Sequence, residues 1–125
     1  MYNVQHHISP PHPVQVKLKP DSGASGIYIR DQDKNILSGL KNDDSQRVLL
    51  PDGTTICSSS SGLLPIPELS PSAAKAHVFN DLHSASLLSV GQLCDDDCYV
   101  LFDKEYMKVY KNNKEILRGE RNPTD

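Results

Sequence analysis

Apolar and polar residues alternate through Val14, Val16 and Leu18, and apolar residues resume at Ile27 and Ile29, with Asp21-Ser22-Gly23-Ala24-Ser25 between them. A period of two places every second side chain on one face, the pattern of a strand with one buried side. Pro20 reads as the end of the first strand, since proline lacks a backbone donor. Ser22-Gly23 then allows a sharp turn, because glycine tolerates backbone angles closed to other residues. The stretch dictates strand, tight turn, strand, with the carboxylate of Asp21 fixed at the turn.

The rest of the chain keeps the same short rhythm. Residues 1–13 read as an irregular arm, in which His6, His7 and His12 stand among Pro10, Pro11 and Pro13 as solvated side chains. Asp31 to Asp44 is polar and turn-rich and reads as a surface loop that dips into the core once, through Ile36, Leu37 and Leu40. Arg47 to Ser60 reads as a hairpin: Val48-Leu49-Leu50 leads in, Pro51-Asp52-Gly53-Thr54 turns, and Thr55-Ile56-Cys57 leads out. A strand continues from Ser58 towards Leu63, Leu64 and Ile66, where Pro65, Pro67 and Pro71 confine it to an edge or end it. Further strands are expected within Ala74–Phe79 and at Leu87-Leu88.

At Ser89 the period changes. Ser89-Val90-Gly91-Gln92 fits a capping box, and Val90, Leu93 and Cys94 share one face of a short helix. Asp95, Asp96 and Asp97 are unfavourable at a helix C-terminus, so the helix is expected to stop by Asp95, and the three acids read as a solvated turn. Strands follow at Cys98–Phe102, Met107–Tyr110 and Glu115–Leu117, the last two joined by an Asn112-Asn113 turn. Many short strands, one short helix and no strand–helix alternation predict an all-β domain closed into a barrel.

Composition narrows the function classes. A chain of 125 residues supports one domain with one modest core. Its hydrophobic fraction of 37% is thin, which leaves open a core shared with a partner subunit or a plain small domain. The net charge of -3 and the absence of a Lys/Arg run argue against nucleic-acid binding. No apolar stretch approaches bilayer-spanning length, and the chain does not open on a signal segment, so no membrane partner is expected. Cys57, Cys94 and Cys98 are odd in number and read as free thiols of a reducing compartment. Cys94 and Cys98 with His77 or His83 form a weak zinc candidate, because structural zinc wants four ligands in paired short spacings.

Taken in order, the Asp21-Ser22-Gly23-Ala24-Ser25 turn, the hairpin about Leu50-Pro51-Asp52-Gly53-Thr54, the Leu87-Leu88-Ser89-Val90-Gly91-Gln92-Leu93 step and the Cys98–Phe102 strand resemble a retroviral-type aspartic protease, a retropepsin. The likeness is greatest to the copia-type retrotransposon form, which carries a similar Leu-Leu-Ser-Val-x-Gln-Leu stretch. It runs from about Val14 to Asp125, and Ile116–Asp125 is similar to the junction that leads towards an integrase region. The resemblance implies a closed barrel with one short helix, half of a pepsin-type bilobal fold. It implies an arm at 1–13, a protease domain at 14–118 and a linker at 119–125.

The resemblance also implies a role for each residue. Asp21 is the catalytic carboxylate; Ser22, Gly23 and Ala24 support it, the Ser22 hydroxyl bonding across a dimer. Pro51, Asp52, Gly53 and Thr54 form a flap over the substrate. The chain offers one Asp-Ser-Gly only, so the implied enzyme is a homodimer that cuts a polyprotein, in the cytoplasm or within virus-like particles. Water is the nucleophile, and no metal or other cofactor is called for. The alternative on the same fold is an inactive dimerisation or binding module. Three positions depart from the family pattern: Pro20 stands where an apolar residue precedes the Asp, Ser89-Val90 replaces a Gly-Arg that helps hold viral dimers, and the hairpin turn has fewer glycines than viral flaps.

Overall fold

A computed structural model describes residues 2–6 and 14–121, with the side chains of 2–6, 14–17 and 121 excepted. The His/Pro-rich stretch 7–13 and the end of the expected linker, 122–125, lie outside the described residues. The strands are β1 (Tyr2–His6), β2 (Val14–Asp21), β3 (Ile27–Arg30), β4 (Ser38–Asn42), β5 (Arg47–Leu49), β6 (Thr55–Cys57), β7 (Ser60–Leu63), β8 (Lys75–Phe79), β9 (Ser86–Ser89), β10 (Tyr99–Phe102), β11 (Tyr106–Lys111) and β12 (Lys114–Arg121). Two short helices, α1 (Pro71–Ala74) and α2 (Val90–Cys94), and a 3-10 helix over Asp31–Ile36 complete the elements. The all-β expectation holds.

Ten strands form one sheet in the order β10-β11-β12-β1-β2-β9-β3-β8-β7-β4, and β5-β6 stand apart as a hairpin. The expected closed barrel is not formed among the described residues: β10 and β4 end the ladder and do not pair. The reason lies in the two edges. All residues of β4 are exposed, and β10 carries Tyr99, Leu101 and Phe102 on the surface, so the two edge strands stand apart and neither covers the other. No helix among the described residues is long and apolar enough to cross a membrane.

Two pairings at the centre are parallel, β2 with β9 and β3 with β8, while β3 and β9 run antiparallel. β3 is buried on both faces, because the main core packs on one and the Tyr28 cluster on the other. Ile27 and Ile29 enter the main core with Leu18, Leu88, Leu93, Met107 and Val109. Tyr28 points the other way, into a second cluster with Ile56, Phe79 and Leu82. Asp31 to Asp44, expected as a surface loop, instead forms the 3-10 helix and strand β4, which pairs with β7; the stretch meets the core through Leu37, 7% exposed, while Leu40 stays outside at 42%.

Several boundaries differ from the sequence reading. Tyr2–His6, expected as irregular arm, pair with both β2 and β12. Strand β2 does not stop at Pro20 but runs on to Asp21. The described β1 ladder on β2 ends at Leu18, whereas the β9 ladder continues through Pro20 and Asp21. Pro20 therefore sits where one side of β2 is free, a position that tolerates a missing donor. β12 extends to Arg121, so part of the expected linker at 119–125 belongs to the sheet. Helix α1 was not anticipated, although Ser70 caps it from its side chain and Pro71 opens it.

Helix α2 obeys half of the capping-box expectation. Ser89 Oγ accepts from Gln92 N at 3.1 Å. The Gln92 side chain does not reach back; its Nε2 donates to Ala73 O at 2.7 Å and Lys75 O at 2.9 Å. The helix caps at Asp95 as expected. Of the three acids, Asp96 is tied down: it accepts from Ser70 N at 3.0 Å and Lys111 Nζ at 2.7 Å. The Lys111 bond, the larger cause, and the Ser70 bonds hold its carboxyl down to about 2. Asn112 and Asn113 both take positive φ, 52° and 62°, and form the expected two-residue hairpin turn.

Candidate active site

Strand β2 delivers Asp21 to the end of its ladder with β9, where Asp21 pairs with Ser89 and Lys19 with Leu87. The chain then turns sharply. Gly23 N donates to Asp21 Oδ1 at 2.7 Å, which fixes the carboxylate within its own turn. A Cβ at position 23 would stand 3.3 Å from that oxygen, so a side chain there would press on the carboxylate. The far side of the turn is held from a distance: Ser89 Oγ donates to Ala24 O at 2.8 Å while capping α2. Ser25 Oγ and Tyr28 OH lie 2.8 Å apart and link the turn to the second cluster.

A groove of about 600 Å³ opens above this turn. Asp21, Gly23 and Ala24 line one side, and Val48, Leu49, Leu50 and Pro51 of the β5-β6 hairpin line the other. Leu82 and Leu87 line it between the two. Of the support residues named from sequence, Gly23 and Ala24 reach the groove; Ser22 is exposed and outside its lining. Of the four flap residues, only Pro51 lines it. Asp52, Gly53 and Thr54 build the turn itself. Asp52 Oδ1 accepts from Thr54 Oγ1 at 2.6 Å and from Thr54 N at 2.9 Å, and these bonds lower its pKa. Gly53 takes φ +89°, which favours glycine. The hairpin thus lines the groove through its entering strand and Pro51 rather than through the turn residues Asp52, Gly53 and Thr54.

Asp21 is the single carboxylate among the lining residues. The cysteine alternative finds no geometry: Cys94 is exposed, Cys98 is buried with its thiol pushed up by desolvation, and no three His, Cys, Asp or Glu residues group for a metal among the described residues.

The root of the hairpin is a polar cluster. Ser58 Oγ donates to Asp43 O at 2.7 Å, and Asp43 Oδ1 accepts from Ser45 N at 3.0 Å. His77, 9% exposed, places Nε2 3.5 Å from Asp43 Oδ2. Hydrogen bonds from Ser45 hold the Asp43 carboxyl well below its usual range. Desolvation outweighs Asp43 at His77 and lowers the imidazole pKa from 6.5. A lowered folded pKa means that the unfolded chain takes up the proton first, so stability is full above about pH 6.5 and falls as pH drops below it. Urea melts between pH 8 and pH 5 check this, and His77→Gln is expected to flatten that segment. Asp43 and Asp96 add a second loss below about pH 4, where unfolded carboxyls protonate first.

Comparison with protein-family models, with curated proteins and with solved structures gives no match.

Proposed function

We propose that this chain is a retropepsin-like aspartic endopeptidase of a copia-type polyprotein, active as a homodimer. The observation that carries the reading is the groove, with the Asp21 turn on one side and the β5-β6 hairpin on the other. Peptide hydrolysis by this route needs two carboxyls around one water: one accepts the water's proton while the other polarises the scissile carbonyl. Two carboxylates about 3 Å apart do not both ionise, and aspartic proteases are the type case of that shared proton. The pair titrates as a unit. With one carboxylate per chain, two copies meet about a two-fold axis and bring Asp21 to Asp21. The substrate then lies extended between the turns and the hairpins, and each hairpin closes over it as a flap. Each chain is in this reading one half of a pepsin-type fold.

Pro20 favours one rival, an inactive module of the same fold, since it breaks the family pattern directly before Asp21. Turnover separates the two. Expressed within a longer precursor, the enzyme is expected to cut its own flanks, near Arg121 among others. Its specific activity is expected to fall about tenfold for each tenfold dilution well below the dimer dissociation constant. Flat specific activity over a wide dilution range, with a monomer on sizing, contradicts the shared site.

A further inference from the structure

We propose that Lys19 and Arg47 make this groove selective for peptides with an acidic residue beside a bulky apolar residue at the cleaved bond, an inference that rests on the endopeptidase reading. The groove lining holds three charged residues, Lys19, Asp21 and Arg47. Lys19 and Arg47 are exposed and have no ion-pair partner among the described residues. Six other lysines and arginines are paired within the fold: Arg30 with Asp33, Lys34 with Asp31, Lys75 with Asp43, Lys111 with Asp96, Lys114 with Glu68, Arg118 with Glu115. Lys41, Lys104 and Lys108 also make no ion pair among the described residues, but only Lys19 and Arg47 line the groove, on a chain whose net charge is -3.

Their positions are specific. Lys19 precedes Asp21 by two residues on one strand, so both side chains leave the same face, roughly 7 Å apart along the backbone. That is the step between alternate side chains of an extended peptide, so a carboxylate close to the scissile bond falls within reach of the ammonium. Arg47 opens β5 on the opposite side of the groove, and its guanidinium suits a carboxylate in two-point contact. Leu50, Leu82 and Leu87 supply the apolar contact beside them. In a homodimer the cations double, while the Asp21 pair, sharing a proton, carries a single negative charge. The field in the closed groove is then positive and favours acidic peptides.

The test uses a library of short peptides with random residues around an apolar centre, incubated with the full chain, with cut sites read by mass spectrometry. Asp or Glu within two residues of the cleaved bond is expected to raise kcat/KM on the order of tenfold over Asn or Gln. The preference is expected to shrink at ~1 M salt, where charges are screened within about 3 Å. Lys19→Glu with Arg47→Glu is expected to turn the preference towards Lys and Arg, and Lys19→Met to weaken it. Equal cleavage of acidic and neutral peptides, or a preference that survives the double charge reversal, overturns the proposal. Binding of labelled acidic and amide-matched peptides to Asp21→Asn protein, followed by anisotropy, keeps the two readings apart. Acid-selective binding without any cleavage by the unsubstituted chain sinks the enzyme and keeps the selectivity. Cleavage with charge-blind binding does the reverse.

Discussion

Asp21→Asn is expected to lower cleavage by at least ~10³-fold while leaving the fold intact. Asparagine matches aspartate in shape, and its Oδ1 still accepts the 2.7 Å bond from Gly23 N that shapes the turn. Asp21 is half-buried and makes no ion pair among the described residues, so urea melting is expected to move by less than ~0.5 kcal/mol. What disappears is the carboxyl that, in the proposed mechanism, exchanges a proton with water. The shared site adds a sharper consequence. If each dimer draws one Asp21 from each copy, an equimolar mixture of both proteins leaves about one quarter of dimers with two aspartates. Activity of the mixture is then about half of what additive mixing would give. Full activity in the Asn variant removes Asp21 from the chemistry, and strictly additive mixing removes the two-fold sharing.

What could be read from the sequence was local. The strands about Val16 and Ile29, the Pro51–Thr54 and Asn112-Asn113 turns, and the Ser89 cap each depend on neighbours a few residues away, and each appears in the structure. The Asp21 turn was equally visible, since Asp-Ser-Gly between two period-two runs is a local pattern. The misses share a different cause. Strand β2 runs past Pro20 because β9 pairs with it there, Pro20 with Leu88 and Asp21 with Ser89, a partner that lies far downstream in sequence. Gln92 leaves its capping box because the carbonyls of Ala73 and Lys75 lie within reach, a contact no local rule announces.

The site was half legible for the same reason. Asp21 came from a motif, whereas its surroundings came from packing. Ser89 bonding Ala24 spans 65 positions in sequence, and its only sequence signal was the cap, which explains the hydroxyl without it. The hairpin is legible from its Pro-Asp-Gly turn, and the resemblance places the flap at that turn, Pro51 to Thr54. The strand before the turn, Val48-Leu49-Leu50, is what lines the groove, because strand side chains rather than turn backbone extend towards Asp21. Leu49 is 72% exposed beside the groove, an apolar residue that local rules would send inward. Helix α1 had a readable signal, Ser70 before Pro71, that the surrounding prolines masked.

Phe79→Ala is expected to be the most damaging substitution away from the reacting carboxyl. Phe79 is fully buried at 0% exposure and is the largest side chain so enclosed. It meets the Tyr28 ring edge-on, with centroids 5.3 Å apart and planes at 84°. Ile56 of the hairpin and Leu82 of the groove complete its cluster, with Val48, Leu50 and Leu87 packed against it. Truncation to alanine removes the ring and leaves a cavity, at about 3–5 kcal/mol. A domain of this size is stable by ~5–15 kcal/mol in all, so a large part of the folded state is at stake. Tyr28 then loses the ring that holds it against Ser25, and the groove loses its support from beneath. Chemical denaturation is expected to show a lower midpoint with an unchanged slope. Leu49→Ala, which trims an exposed groove residue, is expected to leave the midpoint in place. Equal melting of the two variants contradicts the second cluster as the support of the hairpin, because burial is the property that separates Phe79 from Leu49.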